Sequence, residues 1–495
     1  MDQGPQHAQS LVGRALLAVV LSIGFYVLAL VMVAVLFWIP YAEWQYAHRL
    51  HIKLAVVCVL GGLAVLWSIL PRVDRFQAPG AELKPADHPH LFREVEDIAR
   101  ATGQIMPANV YLVPEVNAWV AQRGGLMGFG SHRVMGLGLP LLQVLNISQL
   151  RAVVAHEFGH FHGGDTMLGP WIYKTRNAIR RTVWTLSDEG GQATLLSLPF
   201  LWYSNLFLGV TQAISRRQEL AADELAARTV GAQHMIEGLK IVHATGPLAD
   251  SYWQGEVAVV VDSGYRPPLA LGFSHFMNSD LIRKETDQLV EAQVRSRKGD
   301  KYDSHPPLGE RIAQLGYIKA DRGPLRREPA ISLLQEPDAA ERQLLEHLLD
   351  PERARALKPL RWEDSGEQVW IPRWRSAIGE ARDQLRGLTP AALPEALPRF
   401  SAFLGHQEGV SVTDEVQEHL RNAQVVSCGL ALALHRAGHP LRCLPGGLFF
   451  ECDGRRMDPF QVLRDLYGGK MSPEEWKALC VQLHIADIQM ESLVG

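Results

Sequence analysis

From Ala15 to Ala42 the chain carries no charged residue, and a second charge-free run extends from Leu54 to Pro71. A helix needs about 20 apolar residues to cross the hydrocarbon of a bilayer, with a working range of roughly 17–25. Both runs meet that length. A cleaved signal sequence would have an apolar core of only about 7–15 residues and would leave the second run unexplained. The expectation is therefore an N-terminal pair of transmembrane helices occupying residues 1–75. Arg14, Arg72, Arg75 and Lys84 flank the outer ends of the pair, whereas Arg49 and Lys53 lie between the runs. Excess positive charge marks the cytoplasmic side, so both ends of the pair and everything after them are expected there.

With a net charge of −4, nothing in the charge points to nucleic acid, and no nucleic-acid partner is expected. Of five cysteines, Cys58 falls in the second apolar run. Cys428, Cys443, Cys452 and Cys480 cluster near the C-terminus without a CxxC pair. Their spacing fits reduced thiols better than a disulfide framework or a zinc knuckle.

The chemistry concentrates in VVAHEFGHFHGGD, residues 153–165. Asn146 and Gln149 have the spacing of a capping box, and Leu150, Val153, Val154, Phe158 and Phe161 follow at helical spacing. On such a helix His156 and His160 lie one turn apart on one face, so both imidazoles reach a single metal ion. Glu157 projects beside that ion, where it can take a proton from water. Two histidines need a third ligand. A histidine six residues beyond His160 would supply it in one zincin pattern, but Thr166 occupies that position. Downstream, SRRQELAADELAAR (215–228) forms a second helical stretch with Glu219 and Asp223 one turn apart. Glu219 completes a two-histidine, one-glutamate zinc set with the fourth position left for water. Asp223 is placed to bond the far nitrogen of a ligand histidine and fix its tautomer.

With these residues in view the chain resembles the HtpX-type membrane zinc metalloproteases, a family that also includes the CAAX prenyl endopeptidases. The resemblance covers roughly residues 75–320. HEFGHFHGGD is similar to the family's HExGH motif with a following aspartate, here Asp165. SRRQELAAD matches its SRxxExxAD motif, PANVYLVPEVNAW (107–119) its strand ending in Asn-Ala-aromatic, and SHPPLGERI (304–312) its late His-Pro segment. The resemblance implies one zinc ion held by His156, His160 and Glu219, with Glu157 as general base. It further implies Asn117 as a contact to the substrate backbone at the end of an edge strand. His305 is implied as a donor to the tetrahedral oxyanion.

Residues 190–215 are also uncharged, yet a single crossing there would leave His156 and Glu219 on opposite sides of a membrane. A compensating crossing through 166–189 would carry Lys174, Arg176, Arg180 and Arg181 into lipid. The segment is expected instead as a buried or interfacial helix that dips toward the bilayer. Elsewhere the sequence predicts a helix from Pro89, a strand at Val110–Val113, mostly helix over 232–320 and a polar loop at 295–307. A boundary is expected near 320–329. Beyond it come helices at 338–356 and 413–422, a Pro-rich passage at 389–398 and a hairpin turning at Asp453-Gly454. His435 and His439 are four apart but lack an intervening glutamate, and are read as surface residues.

The expected fold is α-helix-dominated α+β: a transmembrane pair (1–75), a zincin-like metallopeptidase domain with a small sheet (76–320) and a mixed α/β accessory domain (330–495). The expected function is a membrane-anchored endopeptidase that uses zinc-activated water on membrane-associated or misfolded polypeptides, in protein quality control. A prenyl-protein endopeptidase and a zinc-bearing scaffold with little turnover are the alternatives. The oligomeric state and the substrate are not legible.

Overall fold

The structure, a computed structural model, describes residues 4–70, 76–125, 130–161, 168–187, 194–296, 305–319, 325–396 and 414–494. The two charge-free runs form helices α1 (Gly4–Ala47) and α2 (Ile52–Ile69). Leu16–Ala47 and Ile52–Ile69 are long and apolar enough to cross a membrane. Glu43 closes the turn between them by accepting the His51 amide at 3.1 Å.

A four-stranded sheet follows, built from β1 (Ala81–Leu83), β2 (Asn109–Val113), β3 (Ala118–Arg123) and β4 (His132–Gly138), in the order β1-β2-β4-β3. Strands β2 and β4 are parallel, while β1 and β3 run antiparallel to their neighbours. Strand β2 reads NVYLV with four successive buried residues, as an interior strand should. Helix α3 (Pro89–Ala101) starts with its proline in the first turn, where no amide hydrogen is needed, and buries Leu91, Val95 and Ile98. Glu94 on α3 pairs with both Arg151 and Arg326.

From β4 the chain passes through α4 (Leu139–Val144) into α5 (Ile147–Gly159). The capping box is formed: Asn146 Oδ1 accepts the Gln149 amide and Gln149 Oε1 accepts the Asn146 amide, both at 2.9 Å. Leu150, Val153, Val154 and Phe158 are buried on α5. Helices α6 (Leu168–Leu186) and α7 (Leu198–Val230) then pack against the N-terminal pair. Phe25, Ala29 and Val65 share one cluster with Ile172, Ile179, Phe200, Tyr203 and Phe207.

Helix α7 corrects the sequence-based division, which treated 190–215 and 215–228 as separate elements. It is a single 33-residue helix. In its polar middle Thr211 and Ser215 turn their hydroxyls back onto the carbonyls of Phe207 and Thr211, which keeps these polar groups satisfied within the helix. Gly231, at φ 122°, ends it, and α8 (Ala232–Tyr252) follows. A second correction concerns Asn117. It precedes β3, one of the sheet's two edge strands, rather than ending a strand. The residues 162–167, with Asp165 and Thr166, lie outside the described residues, as do 297–304 of the expected polar loop and 397–413.

The chain forms two compact units, one of residues 1–246 and 287–348, the other of 247–286 and 349–495. The second unit has its own core around Trp374, Leu430, Leu434, Phe450 and Trp476. The predicted helix at 338–356 is broken in two by Pro351, with Asp350 capping the second piece. The predicted hairpin joins Gly447–Cys452 to Arg455–Met457. Asp453 and Gly454 have φ of 49° and 77°, the paired left-handed conformation of a type I′ turn. His435 bonds Glu367 and His439 bonds the Leu483 carbonyl, so they serve separate contacts. All five cysteines are free and buried.

Gly454→Ala puts a Cβ on left-handed backbone and should cost about 1 kcal/mol. The check is a shift in the denaturation midpoint of the full chain, with Gly447→Ala, a position with open space around it, as the neutral reference.

Candidate metal centre

The site forms where α5 and α7 touch. A Cβ on Gly159 would lie 2.7 Å from Ala222 Cα and 2.8 Å from its Cβ, so the crossing is as close as a bare glycine permits. Glu219 lies three residues before that contact and Asp223 one after it. Both face the histidines of α5. His156 Nε2 is 3.5 Å from Glu219 Oε2, and His160 Nε2 is 3.7 Å from Glu219 Oε1. The two rings meet edge to face with centroids 4.8 Å apart. On its other side His156 places Nδ1 2.9 Å from Asp223 Oδ1. Both carboxylates are buried.

Asp223 is held in turn by a residue that the sequence reading passed over. Arg311, on the helix Leu308–Leu315, grips it bidentately, Nε to Oδ2 and Nη2 to Oδ1, each at 2.7 Å. Arg311 is itself buried, and its Nη2 stands 3.6 Å from Glu219 Oε2. The available signal was its position: it shares the buried stripe of that helix with Leu308 and Leu315. His305 also reaches the cluster, with Nδ1 3.0 Å from Glu219 Oε1, while its side chain stays half-exposed. Asn117 is exposed, and among the described residues no hydrogen bond or ion pair joins its side chain to this cluster. Its carbonyl accepts the Gly138 amide at 2.8 Å.

The end of α5 is pinned as well. Gln104 donates to the Phe161 carbonyl at 3.3 Å, and the Arg133 guanidinium covers the Phe161 ring at 4.3 Å. Together these contacts fix the turn that follows His160.

The donor set fits a zinc ion. One ligand atom each from His156, His160 and Glu219 lies within 4.8 Å of the others. Donors 2.0–2.1 Å from a tetrahedral ion stand roughly 3.4 Å apart, close to the two nitrogen–oxygen separations above. Glu219 Oε2 is buried, and its nearest cationic neighbours, His156 Nε2 and Arg311 Nη2, stand at 3.5 and 3.6 Å, longer than a good hydrogen bond, so a closer partner is called for. Two imidazoles and one carboxylate are also the chemistry zinc takes when one position stays open.

The charges are strongly coupled. Burial alone would favour a neutral His156, but bonds to Asp223 and Glu219, with Glu157 nearby, outweigh it and raise the ring to about 9. His160 goes the other way, pushed by burial and the His156 charge down to about 4. Burial lifts Glu157 to about 7, against the pull of His156. Burial would raise Glu219 too, yet its bonds to His156 and His305 hold it well below the usual carboxylate range. Asp223, likewise opposed by burial, is held down by Arg311 and His156.

Two crossed helices that bring an HExxH pair and a downstream glutamate to one point make a domain of the metallopeptidase kind. Residues 85–319 match the model of Peptidase family M48, and this stretch is similar to HtpX-type members of that family. It is 26% identical over 271 residues to a protein named "Protease HtpX homolog" from Thermoplasma volcanium, covering 51% of this chain and 79% of the relative. It is 28% identical over 233 residues to "Protease HtpX" of Idiomarina loihiensis, covering 43% and 79%. Against a "Protease HtpX homolog" of Tropheryma whipplei it is 28% identical over 183 residues, covering 34% of this chain and 57% of the relative. No solved structure matches it.

Two outcomes follow for the purified protein. Gly159→Ala overpacks the α5–α7 crossing and should weaken zinc binding about tenfold or more, read by competition with a chromophoric chelator. Gly209→Ala, on α7 with open space around it, should leave binding unchanged. The second outcome concerns pH. A metal ligand must be neutral imidazole, so zinc has to expel the His156 proton below about 9. Apparent affinity should therefore tighten about tenfold per pH unit between 6.5 and 8.5. The sign for stability is opposite. A raised imidazole stabilises the metal-free fold fully below its unfolded value and loses that contribution as pH rises through about 9. The metal-free protein should then melt lower at pH 9 than at pH 7.

Proposed function

We propose that this chain is a membrane-anchored zinc endopeptidase, with one zinc ion held by His156, His160 and Glu219. The observation that carries the reading is Glu157. It directly follows a histidine of the donor set, and burial brings its carboxyl to about 7, within reach of both protonation states near neutrality. A purely structural site has no use for such a group.

The ion, when bound, supplies Lewis-acid polarisation of the scissile carbonyl and of the attacking water. The rest falls to the chain's own residues. Glu157 takes the proton from water and passes it to the leaving amine. Asp223, clamped by Arg311, holds His156 in the tautomer that presents Nε2. Strand β3 is the sheet edge beside α5, and an extended peptide would pair along it, with Asn117 at its start. His305, half-exposed at the rim, would donate to the oxyanion. The N-terminal helix pair would tether this domain on the cytoplasmic face, directing it to membrane-associated or misfolded polypeptides. Residues 330–495 would serve as an accessory part.

The test is cleavage of unfolded casein by the detergent-purified chain. Zinc-dependent cleavage that falls at least a thousandfold in Glu157→Gln, with zinc still bound, is the expected result. A zinc-loaded protein whose cleavage is unchanged by Glu157→Gln would contradict the assignment.

A further inference from the structure

The edge strand β3 carries a notch between aromatic walls. Side chains along a strand alternate between the two faces of its sheet. Arg133, the cross-strand partner of Gln122, stacks on Phe161 at the end of α5, so Ala118, Val120 and Gln122 face α5. Trp119, Ala121 and Arg123 face the other way. On that outer face one small residue stands between two large ones.

The large neighbours lean away from the edge. The Trp119 indole lies over Gly136 of β4, where a Cβ would stand 2.7 Å from Trp119 Cζ2. The Phe76 ring has its centroid 5.6 Å from that of Tyr111 and 5.9 Å from that of His132, and the Arg123 guanidinium stands 5.5 Å from it. Tyr111 pairs with Gly136 and Arg123 with His132, so a ring that meets Tyr111, His132 and Arg123 covers the residue between those rows. That residue is Val134, which is buried and is the partner of Ala121. Among the described residues no strand pairs with β3 on its other side. Ala121 is therefore the floor of a notch open to the sheet edge, with Trp119 and Arg123 at its sides and Phe76 at its back.

We propose that this notch is a substrate subsite that selects one aromatic or long aliphatic side chain. The inference rests on the peptidase reading above and adds to strand pairing the class of side chain that is recognised. A peptide strand added to β3 lies about 4.8 Å from it and about 10 Å from β4. The peptide residue beside Ala121 points to the outer face, and only a long or aromatic side chain crosses the alanine to reach Phe76. There it buries apolar area against the ring, and the Arg123 guanidinium adds a preference for an aromatic face. The residues immediately before and after it point toward α5 and do not enter the notch. Large apolar side chains are buried in folded proteins, so the notch favours extended segments that a folded substrate would not offer.

The test uses peptides of Ala, Ser and Thr that carry a single Phe at successive positions. They are offered to the detergent-purified, zinc-loaded chain, and mass spectrometry locates the cut bond. At one position relative to that bond, Phe should raise kcat/KM about tenfold over Ala. Ala121→Leu fills the notch and should abolish that preference while leaving those at the adjoining positions as they were. Ala121→Ser keeps the notch and should keep the preference. An Ala121→Leu chain with the wild-type preference at every position would overturn the proposal, and so would a wild-type chain that never favours Phe. A second readout needs no turnover. Fluorescein-labelled peptides should bind the zinc-loaded Glu157→Gln chain about tenfold more tightly with Phe at its best position than with Ala there, and equally once Ala121→Leu is added. Selective binding with no cleavage by the wild-type chain would contradict the peptidase reading and leave the notch standing. Cleavage that depends on Glu157 but shows no such selectivity would do the reverse.

Discussion

The close crossing of α5 and α7 at Gly159 and Ala222 is the constraint on which the rest of the site depends. Two helices ordinarily pack 8–10 Å apart, and side chains from one reach the other only at their tips. Here the missing Cβ lets the backbones approach until Glu219 comes within 4 Å of both histidines. The HExxH helix would otherwise present two imidazoles to a gap. Everything that orients α7 therefore orients the third donor, from the Phe200–Phe207 packing at one end to the Arg311 clamp at the other.

Arg311 also balances the charge of the centre. Three carboxylates, from Glu157, Glu219 and Asp223, crowd two histidines in a largely buried space, and unpaired they would be strongly destabilising. The guanidinium neutralises one of them with two parallel bonds, a geometry that a lysine ammonium cannot reproduce. The remaining negative charge is held by a proton on His156 in the metal-free protein and is matched by a divalent cation when one binds. This is why proton and metal compete for the same place.

Much of this was legible locally. The capping box at Asn146 and Gln149, the one-turn spacing of His156 and His160 and the Glu219–Asp223 pair follow from residues within a single helix. The apolar runs of α1 and α2 and the Asp453-Gly454 turn are equally local. What sequence periodicity missed depends on distant partners. Arg311 approaches Asp223 from 88 residues away, and the reason for a glycine at 159 resides in Ala222. The continuity of α7 was hidden because its apolar first half and charged second half read as different elements. Asn117 was assigned to the end of a strand because the bend between Val113 and Ala118 leaves no sequence mark stronger than Pro114.

X-ray absorption of the zinc-loaded chain in its membrane would test the central claim most directly. The account predicts a four-coordinate ion with two imidazole nitrogens and oxygen ligands at about 2.0–2.1 Å, and loss of one oxygen ligand in Glu219→Ala. A sulfur shell at about 2.3 Å, or a shell without imidazole scattering, would place the metal elsewhere and contradict it.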